Sequence, residues 1–198
     1  MSAAPGPLRP SLIAIGCSAG GPPALQSILP DLPQAAGAAV VVAQHMPGRF
    51  TALFAERLGR LCRLPVAEAA DGEAVRPGRI YIAPGGRQTT LEKGTGGPRF
   101  RVRERAPGER YAPSADLLMA SAATVFGARA VGVLMTGMGD DGVEGLRAIK
   151  ERRGRTIAES EATAAVFGMP KEAIRRGVAD LVLPLREIAS ELVAACRK

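Results

Sequence analysis

Aromatic residues are scarce in this chain, and tryptophan is absent. Phenylalanine and tyrosine together make up 4% of the 198 residues. The formal net charge is +7, and a basic surface speeds encounters with anionic partners, so nucleic acid is one partner class to consider. The sequence nevertheless lacks both base-stacking aromatics in number and any recognised nucleic-acid-binding motif. We therefore expect no nucleic-acid partner and attribute the charge to solvation or to the docking of another protein.

Cysteine is also scarce, and its spacing excludes two further classes. It occurs only as Cys17, Cys62 and Cys196, with no C-x-x-C pair. An odd number of widely spaced cysteines predicts neither a disulfide framework nor a zinc site. The chain lacks the roughly 20 consecutive apolar residues of a membrane helix, and its first ten residues lack the pattern of a signal peptide. These absences favour a cytoplasmic protein with no direct membrane insertion.

The apolar segments predict an α/β protein. Hydrophobic residues make up 46% of the chain, which is enough for one globular domain with a sizeable core. Short apolar runs predict buried parallel strands, and apolar residues at helical spacing predict helices between them. The predicted strands are residues 11–16, 38–44, 130–135, 155–160 and 178–184. The predicted helices are one that begins at Pro22 and residues 50–62, 113–127, 142–154, 169–177 and 185–197.

The middle of the chain has a different pattern. From residue 66 to residue 105, short strand-like segments are separated by glycine-rich turns, which predicts strands joined by hairpins. Elsewhere single helices separate the strands, and right-handed crossovers place such helices on both faces of a parallel sheet. The predicted fold is therefore a doubly wound, mostly parallel α/β sheet with helices on both faces and an antiparallel hairpin insert. We expect residues 1–10 to be a flexible leader and residues 11–198 to form one domain.

Three residues suited to nucleophilic catalysis follow three of the predicted strands. Ser18 follows the first strand, His45 follows the second and is the only histidine, and Asp141 lies in the loop after residues 130–135. Parallel strands end at one edge of a sheet, where open α/β sheets bind their ligands. A nucleophilic serine needs a base to take its proton, and that base needs a carboxylate to orient it. The pattern predicts a catalytic triad of these three residues.

Each of these residues also has a purely structural interpretation. Ser18 could cap the helix that follows it, and either Asp140 or Asp141 could cap the helix that begins after them. His45 alone is equally well explained as an ordinary histidine at a strand end. Cys17 is expected to be a buried apolar filler and not the nucleophile, because neighbouring residues at a strand end point in opposite directions.

The glycines around Ser18 suit a sharp turn but not a nucleotide site. They form the pattern G-x-S-x-G, which is weak alone, and in α/β-hydrolases the histidine comes after the acid, whereas here it comes before. A dinucleotide-binding loop would need glycine in place of Ser18, and a phosphate-binding loop would need lysine in place of Pro22. Both nucleotide interpretations therefore fail on the residues present.

Several longer motifs occur in one characteristic order. They are IAIGCSAGG, VVAQHMPGRFTALFAERL, DGEAVRPGRIYIAPG, PSADLL, VGVLMTGMGDDG and TIAESEATAAVFGMPKEAI. With these motifs, the sequence resembles the CheB family, the protein-glutamate methylesterases of bacterial chemotaxis, over nearly all of its length. The resemblance implies a catalytic domain that hydrolyses γ-glutamyl methyl esters on chemoreceptors, often with deamidation of receptor glutamines, and that uses no metal or organic cofactor.

The resemblance also implies roles for single residues. Ser18 corresponds to the nucleophile, His45 to the base and Asp141 to the acid, while the backbone at Met138 corresponds to an oxyanion-binding position. The residue after the nucleophile is commonly threonine in the family but is Ala19 here. If the backbone N–H at this position binds the oxyanion, alanine supplies it equally well, and the loss of such a donor would cost about 2.7–4 kcal/mol.

Two further departures concern charge and regulation. Asp140 replaces the family's usual asparagine and adds a charge next to the acid. Many members carry an N-terminal receiver domain, which the roughly ten residues before the first strand are too few to form. We therefore expect either a stand-alone enzyme or a catalytic fragment, and Met1 slightly favours the stand-alone enzyme. The implied partner is a methylated chemoreceptor or a related signalling protein, and a separate response regulator is a further candidate.

A row of arginines is the remaining feature of the insert. Arg99, Arg101, Arg103 and Arg105 alternate with other residues and would share one face of a strand. A solvated outer face is the simpler interpretation, and docking to acidic receptor helices is the functional one. The same two interpretations apply to Arg76, Arg79 and Arg87.

Two other function classes stay open beside the esterase. One is a catalytically silent receptor-binding module, which an intact triad argues against. The other, with less support, is a basic nucleic-acid-binding protein. Methanol release would distinguish the esterase from the silent module, and salt-dependent retention on DNA without esterase activity would favour the third class.

Overall fold

The computed structural model describes residues 12–33 and 37–197, with the backbone alone for residues 195–197. The strands are β1 Leu12–Cys17, β2 Ala39–Gln44, β3 Val66–Glu68, β4 Ile80–Ile82, β5 Arg87–Gly94, β6 Gly97–Glu104, β7 Ala130–Leu134, β8 Arg155–Glu159 and β9 Leu181–Leu183. The α-helices are α1 Gly21–Ile28, α2 Gly48–Gly59, α3 Ala115–Phe126, α4 Val143–Glu151, α5 Met169–Arg175 and α6 Leu185–Arg197. The expected leader, residues 1–10, lies outside the described residues, as does Ser11.

Seven of the strands form one parallel sheet. Their order is β3-β4-β2-β1-β7-β8-β9, and every neighbouring pair is parallel. The chain begins at the centre with β1, builds outward through β2 and β4, and then returns to the other side of β1 with β7. This reversal is the hallmark of a doubly wound sheet, and it opens a crevice beyond the carboxyl end of β1. The predicted fold class is confirmed.

The prediction of hairpins throughout residues 66–105 is wrong for the first half of that segment. There β3 and β4 pair in parallel with each other, and β4 pairs in parallel with β2, so both strands extend the main sheet. The connection between them, residues 69–79, contains no helix, so the usual sign of a parallel crossover is missing from the sequence. The second half does form the predicted hairpin, in which β5 pairs antiparallel with β6.

The sheet separates two hydrophobic cores. All six residues of β1 are buried, and they alternate, with Ile13 and Ile15 in one core and Leu12 and Ala14 in the other. Helices α1, α2 and α6 cover the first core, while α3, α4, α5 and the hairpin cover the second. Because side chains of a strand point alternately to its two faces, a fully apolar strand is what a sheet covered on both faces requires.

The hairpin is held to the second core by two aromatic rings. Phe100 of β6 is fully buried, and its ring centroid lies 4.7 Å from that of Tyr81 in β4. On the neighbouring strand the backbone N–H of Leu91 donates to the hydroxyl of Ser121 in α3 at 3.0 Å. These contacts fix the insert against the main sheet.

Among the described residues, no helix has both the length and the apolar character needed to cross a membrane.

We expect Phe100→Ala to lower the free energy of unfolding by about 3–5 kcal/mol, because it removes a buried ring and leaves a cavity. Chemical denaturation measures this difference. The matched control is Phe50→Ala, since the Phe50 side chain is 43% exposed and its truncation should change stability by only about 0.5 kcal/mol. Equal losses in the two variants would contradict the role given to Phe100.

Candidate active site

The loops after three neighbouring strands meet at the crevice beyond β1. Ser18 directly follows β1, and His45 directly follows β2. The backbone N–H of His45 donates to the carbonyl of Cys17 at 3.0 Å, and that of Ser18 donates to the carbonyl of Thr136, beyond β7, at 2.9 Å. The backbone hydrogen bonds between neighbouring strands thus continue beyond the ends of the strands and hold the three loops against one another.

The structure brings His45 and Asp141 into direct contact. The Nε2 atom of His45 lies 2.7 Å from Oδ2 of Asp141, and the two side chains are 14% and 1% exposed. A carboxylate accepts hydrogen bonds, so this contact favours the tautomer with the proton on Nε2, in which the free lone pair lies on Nδ1. In the usual serine-protease triad the roles of the two nitrogens are the opposite.

Asp141 is held by the start of α3 as well as by the histidine. Its carboxylate accepts hydrogen bonds from the hydroxyl of Ser114 at 2.8 Å and from the backbone N–H groups of Ala115 and Asp116 at 2.7 and 3.0 Å. Burial alone would raise the pKa of Asp141, but the hydrogen bonds from His45 and from these donors outweigh it, so the pKa is lowered. The carboxylate is therefore ionised at neutral pH and stabilises a protonated imidazole.

The expectation that Asp140 or Asp141 caps the helix after them is wrong. No side chain of this pair caps α4. Instead the Oδ1 atom of Asp116, in the first turn of α3, accepts from the backbone N–H groups of Gly142 and Gly145 at 2.9 and 2.7 Å. Asp141, just before α4, accepts hydrogen bonds from the free backbone N–H groups at the start of α3. Asp116, in α3, accepts hydrogen bonds from those at the start of α4, so each segment caps the other's helix. A local sequence pattern cannot show an exchange between distant segments.

Asp140 instead forms ion pairs at a cleft beside Asp141. Its carboxylate lies 3.3 Å from Nη2 of Arg176 and 3.8 Å from Nη1 of Arg110. The cleft has a volume of about 340 Å³, and Tyr111 and Asp116 also line it. The charge that Asp140 adds is thus balanced within the protein.

Ser18 lies in a tight turn whose backbone is fully engaged. Its carbonyl accepts from the backbone N–H of Gly21 and from Nε2 of Gln44, both at 2.9 Å. Helix α1 has no side-chain N-cap, so the capping interpretation of Ser18 is wrong. Among the described residues no hydrogen bond joins the Ser18 hydroxyl to His45. Such bonds are often loose in unliganded hydrolases and tighten when substrate binds.

A glycine is required on the other side of the nucleophile. A Cβ atom at Gly137 would lie 2.8 Å from Cβ of Ser18 and 2.3 Å from Sδ of Met169. Any side chain at this position would therefore push the serine out of its turn. The next residue, Met138, is 71% exposed.

Two backbone N–H groups near Ser18 are available to a ligand. Within residues 12–33 and 37–197, the N–H groups of Ala19 and Met138 donate to no backbone carbonyl. They belong to the loops after β1 and β7, on the two sides of the crevice. Backbone donors in this position suit an oxyanion, since they need no reorganisation during the reaction. Among the described residues, no group of histidine, cysteine and acidic side chains is arranged to hold a metal ion.

Known proteins resemble this chain over most of its length. The family model for CheB methylesterase matches residues 13–192. The chain belongs to the CheB methylesterase family. It is 51% identical over 98% of its length to protein-glutamate methylesterase/protein-glutamine glutaminase 3 of Geobacter sulfurreducens, and covers 53% of that protein. It is 52% identical to a similarly named protein, number 5, of Anaeromyxobacter dehalogenans, over 94% of this chain and 51% of that one.

A solved structure shows the same fold. The CheB methylesterase catalytic domain of Thermotoga maritima superposes with a TM-score of 0.90 at 40% identity, over 94% of this chain and 99% of that domain. The chain spans about half the length of the curated relatives that it matches. The resemblance to the CheB family noted in the sequence is confirmed.

Sequence reasoning missed a tyrosine that supports the histidine of this CheB-family site. The ring of Tyr111 stacks on that of His45, with centroids 4.8 Å apart and planes 9° from parallel. The buried amide of Gln88 holds the segment in place, because it donates to the carbonyl of Tyr111 at 2.7 Å and accepts from the N–H of Ser114 at 3.0 Å. The sequence gives no sign of this contact because its partners are far apart in the chain.

A second group that was missed positions the loop of Ser18. The hydroxyl of Thr136 donates to the carbonyl of Ala19 at 2.8 Å and accepts from the N–H of Val166 at 2.9 Å. The N–H of Thr136 donates in turn to the carboxylate of Glu159 at 2.8 Å, and Glu159 is fully buried. Thr136 therefore forms hydrogen bonds with the backbone of both Ser18 and Ala19.

Cys17 is excluded as a nucleophile by its surroundings. It is fully buried, and its thiol donates to Oε1 of Gln44 at 3.1 Å. Burial, reinforced by the nearby charge of Glu159, raises the pKa of this thiol far above its usual range. The nucleophilic thiolate is therefore not populated near neutral pH.

The arginine row of the insert is occupied by ion pairs. Among the described residues, Arg99 pairs with Glu92, Arg101 with Asp71 and Arg103 with Glu109. These exposed pairs favour the interpretation of a solvated outer face over that of a docking surface.

The pH dependence of stability tests the burial of Asp116. Burial, together with the charges of Asp141 and Glu144, raises the pKa of Asp116 from 3.8 to about 6. Protonation of Asp116 thus favours the folded state, so its contribution to the free energy of unfolding grows as the pH falls through about 6 and levels off below 3.8. Asp116→Asn keeps the Oδ1 acceptor and should remove this acid-side gain. Denaturant titrations between these pH values measure it, and an unchanged pH slope in the variant would contradict the burial of this carboxyl, which is what raises its pKa.

The Thr136 contacts give a separate test. We expect Thr136→Val to lower the free energy of unfolding by about 1–3 kcal/mol, because it removes two hydrogen bonds while keeping the shape of the side chain. The control is Thr124→Val, whose exposed hydroxyl bonds only to the carbonyl of Ala120 within α3. Chemical denaturation of both variants measures the difference, and an equal effect would show that the Thr136 network is not special.

Proposed function

We propose that the protein is a serine hydrolase that removes methyl groups from glutamate γ-methyl esters on a methylated chemoreceptor in the cytoplasm. The observation that carries the proposal is the 2.7 Å contact of His45 with the buried Asp141, directly beside the loop of Ser18. Family membership supports the reaction class, and the printed names of the relatives, protein-glutamate methylesterase, support the substrate class.

Ser18 is the nucleophile in this mechanism. Nδ1 of His45 takes the proton of its hydroxyl while the oxygen attacks the ester carbonyl carbon. Asp141 stays ionised and stabilises the imidazolium that forms, which is what the lowered pKa of its carboxyl favours. Such acid–base assistance contributes about 10²- to 10⁴-fold to the rate.

The oxyanion of the tetrahedral intermediate is bound by the backbone N–H groups of Ala19 and Met138. When the intermediate collapses, the proton on His45 passes to the departing oxygen and methanol leaves. Water then attacks the acyl-enzyme with His45 again as the base, and the products are the free glutamate carboxylate and regenerated Ser18. Alanine at position 19 supplies the same backbone donor as threonine would.

The same residues can deamidate glutamine. The acyl-enzyme is identical, and ammonia replaces methanol as the leaving group once His45 has donated its proton. The names of the relatives include protein-glutamine glutaminase, which supports this second activity. The silent module and the nucleic-acid binder are not favoured, because the relatives carry esterase names and three arginines of the row form internal ion pairs. A separate response regulator stays a prediction from the sequence.

We expect Ser18→Ala to lower methanol release from a methylated chemoreceptor fragment by roughly 10⁶-fold, because the acyl-enzyme cannot form. Release of radiolabelled methanol measures the rate, and circular dichroism checks the fold. The control is Ser27→Ala, an exposed serine of α1 whose hydroxyl bonds to the carbonyl of Ala24, which should keep full activity. Retained methanol release in Ser18→Ala would eliminate this mechanism.

A further inference from the structure

Three of the exposed apolar side chains belong to segments that follow β2 and β7, the two neighbours of β1. Five large hydrophobic residues are exposed in the part of the chain that the structure describes: Phe50, Leu53, Leu61, Met138 and Val182. The first two lie on α2, the third lies just beyond its end, and the fourth lies in the loop after β7. Clustered exposed apolar residues mark interaction sites more often than scattered ones do.

The exposed residues of α2 share one face. Phe50 and Leu53 are 43% and 62% exposed, and Arg49 and Arg57 lie beside them at helical spacing. Residues of the opposite face, such as Phe54 and Leu58, are buried in the core. The four exposed residues Arg49, Phe50, Leu53 and Arg57 are called the α2 face below.

The arginines of the α2 face differ from those of β6. Among the described residues, neither Arg49 nor Arg57 has a carboxylate within ion-pairing distance, whereas Arg60, the residue just after α2, pairs with Glu56. The guanidinium of Arg49 lies over the ring of Phe50, 4.8 Å from its centroid. The α2 face therefore presents an apolar strip with two uncompensated positive charges.

The α2 face begins at the catalytic edge of the sheet. Helix α2 starts at Gly48, three residues after His45. Met138 follows β7, and Ser18 follows β1, which lies between β2 and β7 in the sheet. Exposed apolar groups therefore flank the loop of Ser18 on both sides, so a protein bound to the α2 face would extend toward the nucleophile.

We propose that the α2 face docks an amphipathic helix of the substrate protein, with acidic residues next to its apolar strip. This inference rests on the proposed function. A helix is the matching shape, because Phe50, Leu53 and Arg57 repeat at the three- and four-residue spacing of a helical ridge, which packs into the grooves of another helix. Acidic residues on the docked helix would complement the charge of the two unpaired arginines. In addition, a segment that carries esterified glutamates gains carboxylates as the reaction proceeds.

The test is the double variant Leu53→Asp with Arg57→Glu. Both side chains are exposed, so the fold should be kept. With a chemoreceptor cytoplasmic fragment methylated in vitro, we expect KM to rise at least tenfold with little change in kcat. Hydrolysis of p-nitrophenyl acetate, which is too small to reach the α2 face from the crevice, should be unchanged.

The matched control is Val182→Asp with Arg186→Glu. Val182 lies on β9, the outermost strand at the other side of the sheet, and is 46% exposed. This pair makes the same chemical changes far from α2 and should leave KM for the receptor fragment unchanged. Added salt should raise KM of the wild-type protein more than that of the α2 variant, because salt screens the attraction by the arginines in the wild type but also screens the repulsion by the new carboxylates in the variant.

The outcomes are distinguishable. An unchanged KM in the α2 variant, or an equal rise in the control, would overturn the docking proposal. A parallel loss of p-nitrophenyl acetate hydrolysis would also overturn it, since the change would then act on the site itself. A wild-type dimer in sedimentation that the α2 variant abolishes, with KM unaffected, would assign the face to a second copy. Failure of the proposed function would appear separately, as methanol release that survives Ser18→Ala.

Discussion

The buried carboxylate of Asp141 joins the framework of the protein to its candidate chemistry. It accepts two backbone N–H groups at the start of α3 and the hydroxyl of Ser114, and it also holds Nε2 of His45. An isolated carboxylate at this depth would be unstable as an anion, so the donors that fix α3 are also what keep it charged. The position of the helix and the ionisation of the acid therefore depend on the same hydrogen bonds.

The parallel sheet supplies the second constraint. Since β1 lies between β2 and β7, the loops that carry Ser18, His45 and Met138 end at one edge and are joined by backbone hydrogen bonds. Thr136 extends this order to the carbonyl of Ala19, and the fully buried Glu159 holds Thr136. The turn of Ser18 is thus fixed through the backbone. The same edge places α2, with its exposed apolar and basic face, next to the crevice.

The sequence predicted most of the fold because its signals there are local. The apolar runs of β1 and β2 and the spacing of apolar residues in the helices predict these elements without any tertiary information. The failures concern pairing between distant segments. Strands β3 and β4 join the parallel sheet, whereas β5 and β6 form the hairpin, and nothing in the local sequence distinguishes the two pairs. A helix between β3 and β4 would indicate a parallel crossover, but a loop connects them. The capping of α4 was likewise assigned to the adjacent aspartates, whereas Asp116 performs it.

The sequence by itself determined the candidate chemistry of this protein, since one histidine, one serine in a glycine turn and one aspartate each follow a strand and occur within motifs of a recognisable family. The tertiary structure decided how these groups are held. Only the folded chain shows that Asp141 contacts Nε2 of His45 and that Tyr111 stacks on the imidazole. It also shows that, among the described residues, the arginines of β6 are paired while those of α2 are not. Hydrogen bonds and ion pairs of this kind join residues far apart in sequence, so they exist only once the sheet has set the distances.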